Sequence, residues 1–188
     1  MTAQTKDERS EEQAKAQLES IREMVAKLDR EGAIGVYTAE LTYIQCVEIL
    51  TEDAGIESVV EDYTEDDIDT LREMVGEQIE RGMIEPDGFA FDEDEARQAI
   101  EEDALSVEVR SDWYSPGSSD ADTRPAQFCI LLCTGGPACR IMGELDEHLE
   151  PHRAWLEHQD WGTPWTQYYE PGIQEALLAY ARCFYFGE

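Results

Sequence analysis

Lysine is nearly missing from this chain: Lys6, Lys15 and Lys27 are the only three in 188 residues, and none follows position 27. Counting arginine, 14 basic residues stand against 44 acidic ones, a formal net charge of −30. Binding to DNA, RNA or an anionic membrane depends on Lys/Arg displacing counterions, so this composition argues against direct contact with any of them. Long apolar runs are missing too. No stretch of 18 apolar residues occurs, and MTAQTKDERSEEQAKAQ is polar throughout, which predicts a cytoplasmic chain with neither a membrane span nor a signal peptide.

Metal and nucleotide motifs are equally scarce. There is no C-x-x-C, and the five cysteines are odd in number and irregularly spaced, as expected of reduced thiols. TGGPA at 134–138 lacks the lysine of a phosphate loop and the G-x-G-x-x-G of a dinucleotide loop; Gly-Gly between two β patterns predicts a hairpin. On an ideal strand Cys129 and Cys133 share a face but stand about 13 Å apart at ~3.3 Å per residue, too far to share a zinc ion. Cys133 and Cys139 flank the turn and face each other as packed thiols. Neither a metal nor a cofactor is expected. His148 and His152 fall in the turn DEHLEPH, where Pro151 opposes the helix that an H-x-x-x-H metal pair needs. His158 and Asp160 are near enough in sequence for an acid-base pair, the one constellation that would suit a hydrolase. Serine-elbow, kinase, H-E-x-x-H and EF-hand motifs do not occur, and the sequence offers no catalytic residue of any specificity.

What the chain does have is 41% apolar and 9% aromatic content, enough for a folded core despite the charge. Ser10 and Gln13 fit a capping box ahead of a stripe of Leu18, Ile21, Val25 and Leu28. Thr38 is placed to cap a second helix through about Glu52 with Leu41, Ile44, Val47 and Leu50 inward, although Tyr43 to Leu50 also reads as a strand. Thr64 and Asp67 open a third helix carrying Ile68, Leu71, Val75 and Ile79, ended by Gly82. Asp92 opens a fourth, to about Ala104. Beyond it the period changes to two. Leu105, Val107 and Val109 alternate as a half-buried strand, Gln127 to Thr134 reads as a central strand, and Cys139 to Leu145 and Arg153 to His158 follow. Ile173, Leu177, Tyr180, Ala181 and Phe184 form a closing helix. The expected fold is α+β: an acidic helical part over 1–104, then a four-stranded antiparallel meander covered by a C-terminal helix over 105–188, together one domain.

Charge and aromatics are the features left for function. Residues 1–104 hold 31 Asp+Glu against 9 Lys+Arg. Acid clusters at helix starts are partly explained by the helix dipole, whereas Glu101, Glu102 and Asp103 at a helix end are not. Glu61, Asp62, Glu65, Asp66 and Asp69, with Glu101, Glu102 and Asp103, are the expected contacts of a basic protein surface, such as a DNA-binding or defence protein held by imitation of DNA phosphates. Salt adaptation and plain solubility are the competing explanations of the same charge. WLEHQDWGTPWTQYYEP gathers Trp155, Trp161, Trp165, Tyr168 and Tyr169, with Trp113 and Tyr114 upstream; of these Trp161, Trp165 and Tyr168 are the expected interface residues, and a small-molecule or peptide site there is the alternative function. The stripe on the first helix leaves a homodimer open.

The Thr134-Gly135-Gly136-Pro137 turn, the Gly143-Glu144-Leu145-Asp146 strand end and the Gln159 to Trp165 loop resemble a segment of uncharacterised proteins encoded by bacterial phages and plasmids. The resemblance spans residues 105–186 and implies an accessory protein of a mobile element, without an activity.

Overall fold

Three reciprocal side-chain caps and one run of alternating strands organise the chain. The structure is a computed structural model that describes residues 5–113 and 124–187, apart from the side chains of Val60 and Glu61. Tyr114 and residues 115–123 lie outside the described residues. The chain divides into two compact units, one formed by Met1–Val25 with Glu95–Glu188 and the other by Ala26–Asp94.

In the larger unit, α1 (Lys6–Ala26) starts at Thr5, not Ser10. The Thr5 amide donates to Glu8 Oε2 (2.7 Å) and the Glu8 amide to Thr5 Oγ1 (3.2 Å), a capping box one turn earlier than expected. Ser10 lies inside the helix and is buried beside Ala14, Leu18 and Ile21. Further on, α6 (Glu93–Asp103) precedes an antiparallel sheet of β1 (Ser106–Ser111), β2 (Pro125–Cys133), β3 (Ala138–Leu145), β4 (Pro151–Gln159) and β5 (Thr166–Tyr168). The strands pair in sequence order, so the expected meander is present with a fifth strand added. The fifth arises because the Gly162 turn (φ 78°) sends Thr166–Tyr168 back along β4. On the packed face Phe128, Ile130, Ile141 and Leu156 are fully or almost fully buried, and α7 (Ile173–Ala181) lies on β4 with Leu177 and Tyr180 inward. Gly143 is required there: a Cβ on it would sit 2.2 Å from Phe128 Cζ and 2.4 Å from the Arg153 carbonyl oxygen.

Strand β1 departs from expectation. Leu105, Val107 and Val109 are 58%, 39% and 46% exposed, because β1 is the sheet's outer edge while α7 packs on β4. A second correction concerns the cysteines. A register shift between Leu131 and Cys133 turns Cys129 toward Arg140, Glu108 and Glu157 and Cys133 toward Gln13, so the two do not share surroundings as an ideal strand would have them. Cys133 is instead the direct cross-strand partner of Cys139, as the hairpin predicted.

The smaller unit is helical. Asp29 caps α2 (Arg30–Glu40) by accepting from the Gly32 amide, so Thr38 is interior to a helix rather than its start. The next start is Thr42, which forms a capping box with Gln45 for α3 (Tyr43–Glu48). That helix runs into a π turn at Ile49–Asp53, where the Ala54 amide donates to the Ile49 carbonyl at 3.1 Å. Cys46 and Leu50, four residues apart, face inward, and Ile44 is 64% exposed. After α4 (Val59–Asp62), Thr64 and Asp67 form the predicted capping box ahead of α5 (Ile68–Glu80), whose Leu71, Val75 and Ile79 are buried. These three pack with Ile34, Leu41, Cys46, Leu50, Val59 and Ile84 into a core of the unit's own.

Candidate functional site

Ala26–Asp94 carries 21 Asp+Glu against 4 Lys+Arg, net −17 in 69 residues. Its arginines are engaged internally. Arg72 donates through Nε (3.1 Å) and Nη2 (2.8 Å) to the Leu41 carbonyl at the end of α2. Arg30 donates to the Ile79 carbonyl and Arg81 pairs with Glu77. A groove of about 360 Å³ opens in this unit between the end of α2, the α3–π turn segment and Glu85–Asp87. Tyr37, Leu41 and Ile49 contribute to its lining, Glu48, Glu52, Asp53, Glu85 and Asp87 surround it with exposed carboxylates, and among the described residues no lysine or arginine lines it. Tyr37 reaches the Asp87 carbonyl at 3.4 Å and rests against Phe89, with ring centroids 5.4 Å apart. Burial, and after it the charges of Asp53 and Asp87, push the Tyr37 phenol above its ordinary value. Such a concavity, with a lining more polar than apolar and five exposed carboxylates around it, suits a cationic group.

The acidic residues expected from sequence are divided between the units. Asp62, Glu65, Asp66 and Asp69 are exposed in the smaller one, at the end of α4 and the start of α5. Glu61 lies in α4, with its side chain outside the described residues. Asp69 approaches Arg72 at 3.4 Å, and Asp67 is committed to Thr64. None of these four borders the groove. Glu101, Glu102 and Asp103 belong to the larger unit. Glu101 and Glu102 are exposed, but Asp103 has a structural partner that sequence did not suggest, accepting the Tyr180 hydroxyl at 2.7 Å. The groove residues were missed because they come from three separate segments; the available signal was Glu48 and Glu52, four apart and therefore on one helical face.

The tryptophan segment does not make one aromatic pocket. Trp165 is partly buried with the Arg140 guanidinium 4.0 Å from its ring centroid, and Trp155 lies under Arg153 at 5.5 Å. Glu157 links them, accepting from Trp155 Nε1 (2.9 Å) and from Arg140 Nη2 (2.7 Å). Trp161 instead leans on Gly136 of the hairpin and is 69% exposed. Tyr168 is partly buried and donates to Glu170, while Tyr169 and Trp113 are 83% and 98% exposed.

His158 and Asp160 turn to different partners, both on α1. His158 Nδ1 lies 2.9 Å from Ser10 Oγ; Asp160, whose side chain is fully buried, pairs with Arg9 and accepts from the Trp161 amide. That amide, with Arg9 and Lys6 adding to it, holds the Asp160 carboxyl below the usual carboxylate range. Burial raises the thiols of Cys129, Cys133 and Cys139, the last to about 12, the reverse of what a thiolate nucleophile needs. His148 and His152 stand beside Glu147 and Glu144 on the surface. Among the described residues no group of three or more His, Cys, Asp or Glu is arranged to hold a metal ion. No helix among them is long and apolar enough to cross a membrane. Compared with family models, curated proteins and solved structures, the chain matches none.

Proposed function

We propose that this protein binds a basic protein surface through Ala26–Asp94, and that the target is a DNA-binding protein whose phosphate-contacting face it occupies. The groove of Glu48, Glu52, Asp53, Glu85 and Asp87 over Tyr37 carries this reading, since it joins unbalanced negative charge to a concave shape. Exposed Asp62, Glu65, Asp66 and Asp69 extend the negative surface of the same unit. Duplex DNA presents one charge per ~1.7 Å of axis, so a protein adapted to it offers many cationic groups, and an acidic unit at net −17 competes for the same groups. The C-terminal resemblance to phage and plasmid proteins is consistent with an inhibitor of a host nucleic-acid-binding or defence enzyme. A ligand site on the tryptophan segment has less support, because Trp155 and Trp165 already carry Arg153 and Arg140 on their rings.

The test is capture of DNA-binding proteins from the natural host at low ionic strength, with competing duplex DNA and with a variant carrying E48Q, E52Q, D53N, E85Q and D87N. Capture should be displaced by the duplex, lost at about 0.5 M salt and weakened at least tenfold by the five substitutions. Capture that survives all three means that the partner is not held by this charge.

A further inference from the structure

Strand β1 is the outer strand of the sheet, and among the described residues nothing pairs with its free edge. A free edge presents unpaired amides and carbonyls, which proteins ordinarily blunt with bulges, prolines or lysines. Here Ser106–Ser111 is SVEVRS, without proline or lysine. Its register against β2 is regular from Ser106 to Arg110, and its apolar residues are left in water, with Val107 39% and Val109 46% exposed. Leu105, one alternation earlier, is 58% exposed. The stripe on α1 is not a competing surface, because Leu18 and Ile21 are fully buried.

We infer that the free edge of β1 pairs with β1 of a second copy of this chain, antiparallel and centred on Val109, joining two sheets into one. The registers open to a symmetric pair are few. Residues that exchange backbone hydrogen bonds across an antiparallel pair must both point toward the partner, so the two-fold axis passes through one residue of the strand. An axis at Glu108 sets glutamate against glutamate, and one at Arg110 sets arginine against arginine; like charges directly opposite are destabilising. An axis at Val107 sets Glu108 against Ser106. An axis at Val109 sets Glu108 of each copy against Arg110 of the other, and Val109 against Val109. Of these four registers, which lie in the regular part of the strand before the shift at Arg110/Ser111, that one alone pairs opposite charges, and does so twice. Arg110 is engaged on the β2 side, where Gln127 Oε1 accepts from Nε and Nη2, so three of its five N–H donors are left for the second copy. Alternation then places Val107 and Val109 of both copies on the face that carries Phe128 and Ile130, extending the apolar surface across the joint.

Two chains of net −30 repel at long range. The Debye length shortens from about 30 Å at 0.01 M salt to about 3 Å at 1 M, which screens distant charges far more than a contacting pair. The dimer therefore strengthens as salt is added, opposite to the partner binding proposed above, so the two proposals fail independently. Sedimentation velocity over roughly a hundredfold range of concentration, at low and at about 0.5 M salt, is the experiment. The expected result is a monomer–dimer equilibrium at high salt, weakened at least tenfold by E108R alone and by R110E alone, and restored in E108R/R110E. Circular dichroism separates a lost dimer from a lost fold. A wild-type chain that stays monomeric at every concentration and salt overturns the proposal. So does a dimer indifferent to the single substitutions, or one that the double substitution does not restore.

Discussion

His158 is 7% exposed, yet it belongs to the sheet row that meets the most polar part of α1. The Ser10 hydroxyl stands between the Asp7 carbonyl at 3.1 Å and His158 Nδ1 at 2.9 Å, so the imidazole is tied to α1 through one polar contact. Cys139 is its neighbour across β3, and the Tyr168 ring stands 6.4 Å away edge-on. Taking up a second proton charges the buried ring. Burial lowers its pKa below 6.5, with Glu11 and then Asp7 acting in the opposite direction. The unfolded chain then binds this proton at a higher pH than the folded one, and stability falls as pH drops below about 6.5 toward the folded value. Urea midpoints at pH 7.5 and pH 5.5 measure this. Wild type should lose stability over that interval and His158→Gln should lose less, since the carboxylates with lowered pKa, Asp160 among them, titrate lower still. An equal loss in both would place the pH dependence elsewhere. The sequence allowed a His158–Asp160 pair because alternation puts residues two apart on one side. It could not show that α1 supplies a separate partner for each.

At the scale of elements, legibility followed how local each signal was. Thr64 and Asp67 form the box that their spacing announces, and the alternation of β2, β3 and β4 reappears as a meander. Thr38 failed as a cap because its third following residue is Leu41, which cannot return a bond to the backbone; Thr42 has Gln45 in that place and makes both bonds. Thr5 with Glu8 and Ser10 with Gln13 satisfied the same rule, and the choice fell to which residue the sheet buries. The burial of β1 was not legible either, since it depends on which strand α7 covers. Replacing Thr42 by alanine removes the acceptor of the Gln45 amide (3.4 Å) and the hydroxyl that donates to Gln45 Oε1 (2.8 Å). Chemical denaturation should show a loss of about 1 kcal/mol. A midpoint unchanged from wild type would mean that α3 is held by packing of Cys46 and Leu50 alone.

Across the whole molecule, the charge visible in composition acquires a location that composition did not contain. The smaller unit holds −17 in 69 residues, while the larger holds 23 Asp+Glu against 10 Lys+Arg, net −13 in 119. The larger unit also spends carboxylates on internal partners, with Asp160 on Arg9, Glu170 on Arg22 and Glu157 on Arg140. Self-repulsion is therefore concentrated in Ala26–Asp94, where it opposes the folded state and is relieved by screening. Amide exchange at about 20 mM and about 500 mM salt separates the units in one measurement. Protection should rise with salt in both, and more in Leu71, Val75 and Ile79 of α5 than in Ile130 and Ile141 of the sheet. A chain folded at 20 mM salt would show that the acid surface is not a requirement of life in brine, which strengthens its assignment to a basic partner. Protection that falls with salt would mean instead that attractive ion pairs dominate, and that the net charge is not what limits the smaller unit.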